Sequence, residues 1–336
     1  MIEPLLLASG ALVLALTTYA LLGGADYGGG VWDLLASGPT GERQRATIAH
    51  AIGPVWEANH VWLIAAIVIL FTGFPHAFAA VSIYLHVPLL VVLVGIVLRG
   101  SAFVFRAYGP SDPRHEWLWG RVFAIASTVT PLFLGIVVGA VTEGRLPQTH
   151  TGSFVNVFVT PWLTPFALSV GVFTLTVFAF LAAVYLTLEA RDVEERAAFR
   201  ARALISGVLV GGLAAMVLVL ANQDVRHALT ASAWALPLHL ATGVSASAAL
   251  ACLWFEQYRL ARIAAAAQVA LILWGWALAQ YPYAVRPNLT LAASAAPENV
   301  LVLLLQVLGV GAVLLVPSLL YLFGIFGPRG HGAQGE

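Results

Sequence analysis

"IGPVWEANHVWLIAAIVILFTG", residues 52–73, takes a glutamate, an asparagine and a histidine into a run with no charge from Val61 to Gly73. The run is too continuous for a half-buried strand and too apolar for a loop. A bilayer offers no partner for an unpaired backbone N–H or C=O, so such a segment pairs its own groups as a helix. A crossing needs about 20 mostly apolar residues. The stretch therefore reads as a spanning helix that carries polar groups at its mouth.

Working outward, eight further runs have the same character. The nine lie near 5–24, 58–73, 77–98, 118–141, 162–188, 203–221, 234–254, 261–281 and 299–326. Composition agrees: 60% of the 336 residues are hydrophobic and 10% are charged, against about 25% charged in soluble domains. The expectation is an all-α polytopic membrane protein, with residues 1–336 a single integral membrane domain in the lipid bilayer and 327–336 a disordered cytoplasmic tail. The N-terminus lacks a basic stretch before its apolar run and reads as a retained first span rather than a cleaved signal. Formal net charge is zero, so nothing favours nucleic acid. The one cysteine, Cys252, rules out an intrachain disulfide and a CxxC metal site.

Sidedness follows from arginine, since the sequence contains no lysine. With nine spans and the N-terminus outside, thirteen arginines fall in cytoplasmic segments and only Arg145, Arg226 and Arg286 outside. That is the asymmetry expected of a positive interior, and it places the C-terminus in the cytoplasm.

Charges within spans cost at least about 2.5–3.5 kcal/mol and are functional candidates by default. Asp26 ends the first run and Glu57 begins the second, on the same side. Glu57 and His60 are three apart and share a helical face. Asn59 lies on an adjacent face, and Trp56 and Trp62 bracket the group. A carboxylate beside an imidazole at a membrane mouth can carry protons, and it can equally cap and anchor a helix end. The glycines of "GGADYGGGVWDLL" (23–35) read as a helix break or a tight helix crossing. Arg99 closes the third run, either as an interior anchor or as a partner for a buried acid such as Asp26. His60, His86 and His239 are scattered one to a span, so neither haem ligation by this chain nor a metal site is expected. No Ser–His–carboxylate set appears, and no catalytic residue is assigned.

These stretches resemble, in order along the chain, subunit II of the cytochrome bd-type quinol oxidases. "ADYGGGVWDLL" (25–35) is similar to the Asp-x-Gly-x-Gly motif after the first span. "IGPVWEANHVWLI" (52–64) resembles the Pro-x-Trp-(Asp/Glu)-x-Asn-x-x-Trp-Leu stretch, which fixes Pro54, Trp56, Glu57, Asn59, Trp62 and Leu63 together. Arg99, "TPLFLGIVVGAVTEG" (130–144), "LTPFAL" (163–168) and "YPYAVRPNLTL" (281–291) match further landmarks. The sequence departs from the pattern at Gly23–Gly24, where the family often carries a second acid, at Gly120, where some members carry one, and at Glu57, which replaces an aspartate found in some relatives.

The resemblance implies two four-helix bundles plus one peripheral helix, in a bacterial cell membrane. It implies a haem-free chain paired with a subunit I that holds haems b and d and the quinol site. The complex would oxidise quinol and reduce O2 to water. A small single-span subunit and a structural quinone are compatible with it. Glu57, with Asp26, Asn59, His60 and Arg99, would then serve proton intake or the subunit interface, and Trp56 and Trp62 an oxygen path or packing. The rival reading is a secondary transporter with a one-sided carboxylate site, and a second rival is a purely structural scaffold.

Overall fold

The computed structural model describes residues 2–38, 40–52, 56–109, 112–147 and 152–326. The tail 327–336 lies outside the described residues. Fourteen helices and one short hairpin are described: α1 (Ile2–Leu35), α2 (Gly41–Ile52), α3 (Trp56–Gly73), α4 (Pro75–Tyr84), α5 (His86–Tyr108), α6 (Pro113–Glu143), α7 (Phe154–Phe158), α8 (Pro165–Glu189), α9 (Val193–Leu220), α10 (Gln223–Ala231), α11 (Ala235–Trp254), α12 (Tyr258–Gln280), β1 (Tyr283–Val285), β2 (Leu289–Thr290), α13 (Leu291–Ser294) and α14 (Glu298–Phe326). Among the described residues eight helices are long and apolar enough to cross a membrane, or nine if α3 and α4 count as one bent span.

The helix starts follow from the sequence. Asp112, Thr164, Asp192 and Asn222 each accept a backbone N–H in the first turn of α6, α8, α9 and α10. Prolines occupy the first turns of α6 and α8, where a missing N–H costs nothing.

Two expectations change. The run 77–98 is not one helix. Pro75 follows the end of α3, and α4 turns away from α3 by 114°. Pro88 has no N–H to give Tyr84 and would clash with its carbonyl, so the chain breaks at Leu85 before α5 begins. The membrane-length helix is therefore His86–Arg106, shifted eight residues or more from the apolar run. The glycines near 23–30 do not break α1 either; it runs unbroken to Leu35. Their role is close approach. A Cβ on Gly28 would lie 1.9 Å from the Phe178 carbonyl oxygen of α8, and one on Gly30 would lie 2.2 Å from the Ser127 Cβ of α6.

Helices α1, α3, α5 and α6 form one four-helix group, and α8, α9, α11 and α12 a second. They join where α8 packs on both α1 and α6, over a core that includes Tyr27, Phe123, Phe180, Leu181 and Phe199. Trp32 Nε1 donates to the Ala179 carbonyl at 2.8 Å across the same seam. Helix α14 lies at the edge against α1 and α3, with Leu301 and Leu304 buried and Val310, Val313, Leu314 and Leu320 exposed. The two ends of the molecule differ. One carries α2 and the short turns between α8 and α9 and between α11 and α12. The other carries α4, α13 and the β1–β2 hairpin.

Candidate functional site

The first bundle holds a buried polar cluster near its α2 end. Asp26 of α1 and Asn59 of α3 are 6% and 3% exposed. Asn59 Nδ2 donates to Asp26 Oδ2 at 2.6 Å. Arg99 of α5 is 1% exposed and is the largest fully buried side chain. Its Nε donates to Ser127 Oγ of α6 at 3.1 Å. Its guanidinium carbon sits 4.7 Å from the Tyr27 ring centroid and 5.3 Å from that of Phe123. A cation over desolvated aromatic faces is held electrostatically by the ring quadrupoles. Arg99 therefore does not clasp Asp26 directly; it lies across Tyr27, the residue next to it, and acts on the carboxylate through space.

His60, one residue beyond Asn59, turns toward two tyrosines. Its Nε2 is 3.4 Å from the Tyr27 hydroxyl, and Tyr19 donates to that same hydroxyl at 3.4 Å. Both rings meet the imidazole edge-on with centroids 6.1 Å apart. So the structure gathers four of the residues expected from sequence, Asp26, Asn59, His60 and Arg99. Trp62 packs partly buried against the core, and its Nε1 has no hydrogen-bond partner among the described residues. Trp56 and Glu57 belong to α3, but their side chains lie outside the described residues.

A second acid was not singled out from sequence. The Asp33 side chain is 2% exposed, and its Oδ2 meets Arg106 Nη1 at 3.5 Å. Among the described residues its other oxygen has no hydrogen-bond partner, and neither do Asn59 Oδ1 and Arg99 Nη2. The signal was available in the spacing: Asp26 and Asp33 are seven residues apart on α1, as are Arg99 and Arg106 on α5, which keeps each pair on one helical face.

The opposite end explains three other landmarks. Glu143, at the end of α6, is buried; its Oε1 takes Arg145 Nε at 2.9 Å, and its Oε2 takes the Thr164 hydroxyl that also caps α8. Asn222 Nδ2 donates to the Glu143 carbonyl at 2.8 Å, and the Arg286 N–H donates to the Val141 carbonyl at 3.3 Å. Gly144 takes φ +80° against Arg286 and Pro287, a conformation glycine adopts without strain. Residues 141–144, 164 and 286–287 thus meet in one joint. His86 and His239 each place Nδ1 against a backbone carbonyl, of Ile83 at 2.8 Å and of Ala235 at 2.6 Å. Among the described residues no three His, Cys, Asp or Glu side chains are grouped to hold a metal ion.

Comparison with known proteins bears on this arrangement. A family model described as cytochrome bd terminal oxidase subunit II matches residues 5–326. Cytochrome bd-I ubiquinol oxidase subunit 2 of Escherichia coli K12 is 31% identical over 153 residues, 43% of this chain and 38% of that protein. Cytochrome bd ubiquinol oxidase subunit 2 of Bacillus subtilis is 30% identical over 126 residues, 35% of this chain and 36% of that protein. The chain thus spans little more than a third of the length of these curated relatives. In fold it resembles the bd oxidase from Geobacillus thermodenitrificans, with a TM-score of 0.81 at 23% identity, covering 97% of this chain and 99% of the other.

Proposed function

The chain belongs to the cytochrome bd terminal oxidase subunit II family, and from that premise we propose that it is the haem-free subunit of a membrane complex that oxidises quinol and reduces O2 to water. A haem-bearing subunit I supplies the electron chemistry. The chain's own contribution is to support that subunit and to bring protons from the cytoplasmic side toward the site of oxygen reduction. The haem-free part follows the family resemblance, and it fits His60, His86 and His239 standing one to a helix, on α3, α5 and α11. Four sequence-distant segments also keep their arginines at the α2 end, which fits a cytoplasmic α2 end under the positive-inside rule.

The observation that carries the proton-intake reading is the buried Asp26–Asn59 hydrogen bond. A carboxylate this deep in a spanning bundle is costly to keep without a task. Asp26 can hold a proton on either oxygen as a neutral acid. It can also stand charged with the Asn59 amide donating to it and the Arg99 cation nearby. A group supported in both states can take up and release a proton without rearranging the helices. Glu57, two residues before Asn59 on α3, is the second acid of this reading. Asn59 and Arg99 position and stabilise, and His60 and the Tyr27 hydroxyl extend the polar path into the bundle.

The secondary-transporter alternative has no specific observation behind it. Its hallmark, a broken helix at the binding site, would have to be the bend after Gly73, which lies at the far end of α3 from Asn59.

The test uses the intact complex purified with its partner subunit. Asp26→Asn and Glu57→Ala are each expected to slow quinol-driven oxygen consumption by about a hundredfold or more, the size of a lost proton-transfer group. The reduced-minus-oxidised haem spectrum should be unchanged. Full turnover in both assembled variants would refute proton intake through this chain. Loss of the haem bands with normal turnover per remaining haem would assign these acids to assembly alone.

A further inference from the structure

Asp33 is a buried acid that the preceding reading does not use. It repeats the Asp26 arrangement seven residues on, about 10.5 Å along α1 toward the α2 end. Arg106 repeats Arg99 by the same step on α5. The two acid–arginine levels differ in two respects: Arg106 meets its acid directly whereas Arg99 does not, and the Arg99 side chain is sealed whereas the Arg106 side chain is 24% exposed and opens the outer level to the surface. Arg45 of α2 and Arg121 of α6 also act on Asp33 electrostatically, so it is surrounded by cations from three elements.

Between the levels lies Gly30, with no side chain, and against it stands Ser127. A Cβ on Gly30 would be 2.5 Å from Ser127 Oγ, so that hydroxyl rests on α1 between Asp26 and Asp33. Most hydroxyls in these helices are committed to a backbone carbonyl of their own helix. Thr128 and Thr130, beside Ser127, donate to Ala124 and Ala126 at 2.9 and 2.7 Å. Ser127 instead accepts from Arg99 Nε, which leaves its own hydrogen free to be passed on. Asp33 Oδ1 and Arg99 Nη2, one at each level, are buried polar atoms without a hydrogen-bond partner among the described residues. Such atoms in a native interior are ordinarily met by ordered water.

We propose that Asp33, held by Arg106, is a proton-entry acid of this chain, and that Ser127 hands the proton on to Asp26. This rests on the proton-intake reading above. Asp33 Oδ1 takes a proton from water at the Arg106 opening and becomes neutral. It gives that proton to bridging water, and water protonates Ser127 Oγ as the serine releases its own hydrogen toward Asp26. Only O–H bonds are made and broken, Ser127 ends as it began, and Asp33 returns to the carboxylate that Arg106 holds.

The test again uses the intact complex, with turnover and proton uptake from the α2 side both measured and the haem spectrum as the assembly control. Asp33→Asn should slow both by about a hundredfold or more, with haem bands intact, and Asp33→Glu should restore most of the rate. Ser127→Ala should slow both several-fold. Full rates in Asp33→Asn and Ser127→Ala beside a slow Asp26→Asn would overturn this inference and leave the intake reading standing. Full rates in all three would overturn both. An assembled Asp33→Glu complex as slow as Asp33→Asn would assign Asp33 to packing and overturn it. Should Asp33→Asn not assemble, Ser127→Ala decides alone, since it removes one atom from a fully buried site; full rate there refutes the relay.

Discussion

Substituting Gly28 by alanine adds one methyl group where α1 crosses α8. That methyl would stand 1.9 Å from the Phe178 carbonyl oxygen and 2.7 Å from Ala182 Cβ. Real Cβ atoms keep beyond about 3.0 Å, so the shortfall against the carbonyl exceeds an ångström. Nothing flexible is available to yield, because the obstacle is the backbone of a 25-residue helix. Helix α1 must move off α8, and it takes with it the Trp32 bond to Ala179 and the seam between the two bundles. Overpacking costs about 1–3 kcal/mol where a core can adjust; a backbone obstacle puts this case at the upper end, about 3 kcal/mol. Alanine also returns up to about 1 kcal/mol of helix propensity. Gly120→Ala makes that same gain with nothing within 4 Å, so the difference between the two variants isolates the clash. Gly29→Ala is intermediate, since its one close contact under 3.0 Å is with the flexible Ile52 methyl tip at 2.7 Å. The assay is survival of the monodisperse complex after graded heating, read by fluorescence on a sizing column. The expected order of survival is Gly120→Ala, then Gly29→Ala, then Gly28→Ala, with the last lowered by several degrees. A Gly28→Ala complex that survives like Gly120→Ala would refute the close-crossing account of the glycines.

Much of this architecture was legible because lipid imposes one rule on every span: long apolar runs must be helical. The rule sees composition, and so it missed the break at Leu85. Residues 75–98 are apolar on both sides of that break, and the information lay in Pro75 and Pro88, which act on hydrogen bonds rather than on hydropathy. The same blindness cut α1 short at Gly24. The helix goes on for eleven more residues, and with the boundary set too early Asp33 read as part of a polar end. Asp26, Asn59, His60 and Arg99 were legible as a group because a charge inside a span demands a partner. Ser127 was not, since a neutral hydroxyl costs little and resembles the several others that bond to their own helix. The joint of Glu143, Thr164 and Arg286 was visible only as three recurring motifs. Their common purpose depends on residues more than a hundred positions apart meeting at one end of the bundle, and no local pattern records that.

Two further substitutions separate holding from conducting. Arg99→Lys keeps the charge but loses the planar group over Tyr27 and Phe123 and the Nε–H given to Ser127. Because the two cations are not interchangeable at a stacked site, the heated complex should lose about 1–3 kcal/mol of stability; survival equal to the parent would show that the stacking contributes nothing. Thr164→Val removes a hydroxyl that does two jobs, accepting the Ala167 N–H as the cap of α8 and donating to Glu143. Loss of a cap costs about 1 kcal/mol, and a buried carboxylate oxygen left without its donor costs about 1–3 kcal/mol more, so heat survival should fall clearly while Thr164→Ser retains it. This joint lies at the opposite end of the bundle from Asp26 and Asp33, on no route from the α2 end. Turnover per haem in the Thr164→Val complex that survives should therefore equal the parent's. A drop in turnover per haem without a drop in heat survival would mean that the Glu143 joint takes part in proton traffic, and that the division between a conducting end and a holding end is wrong.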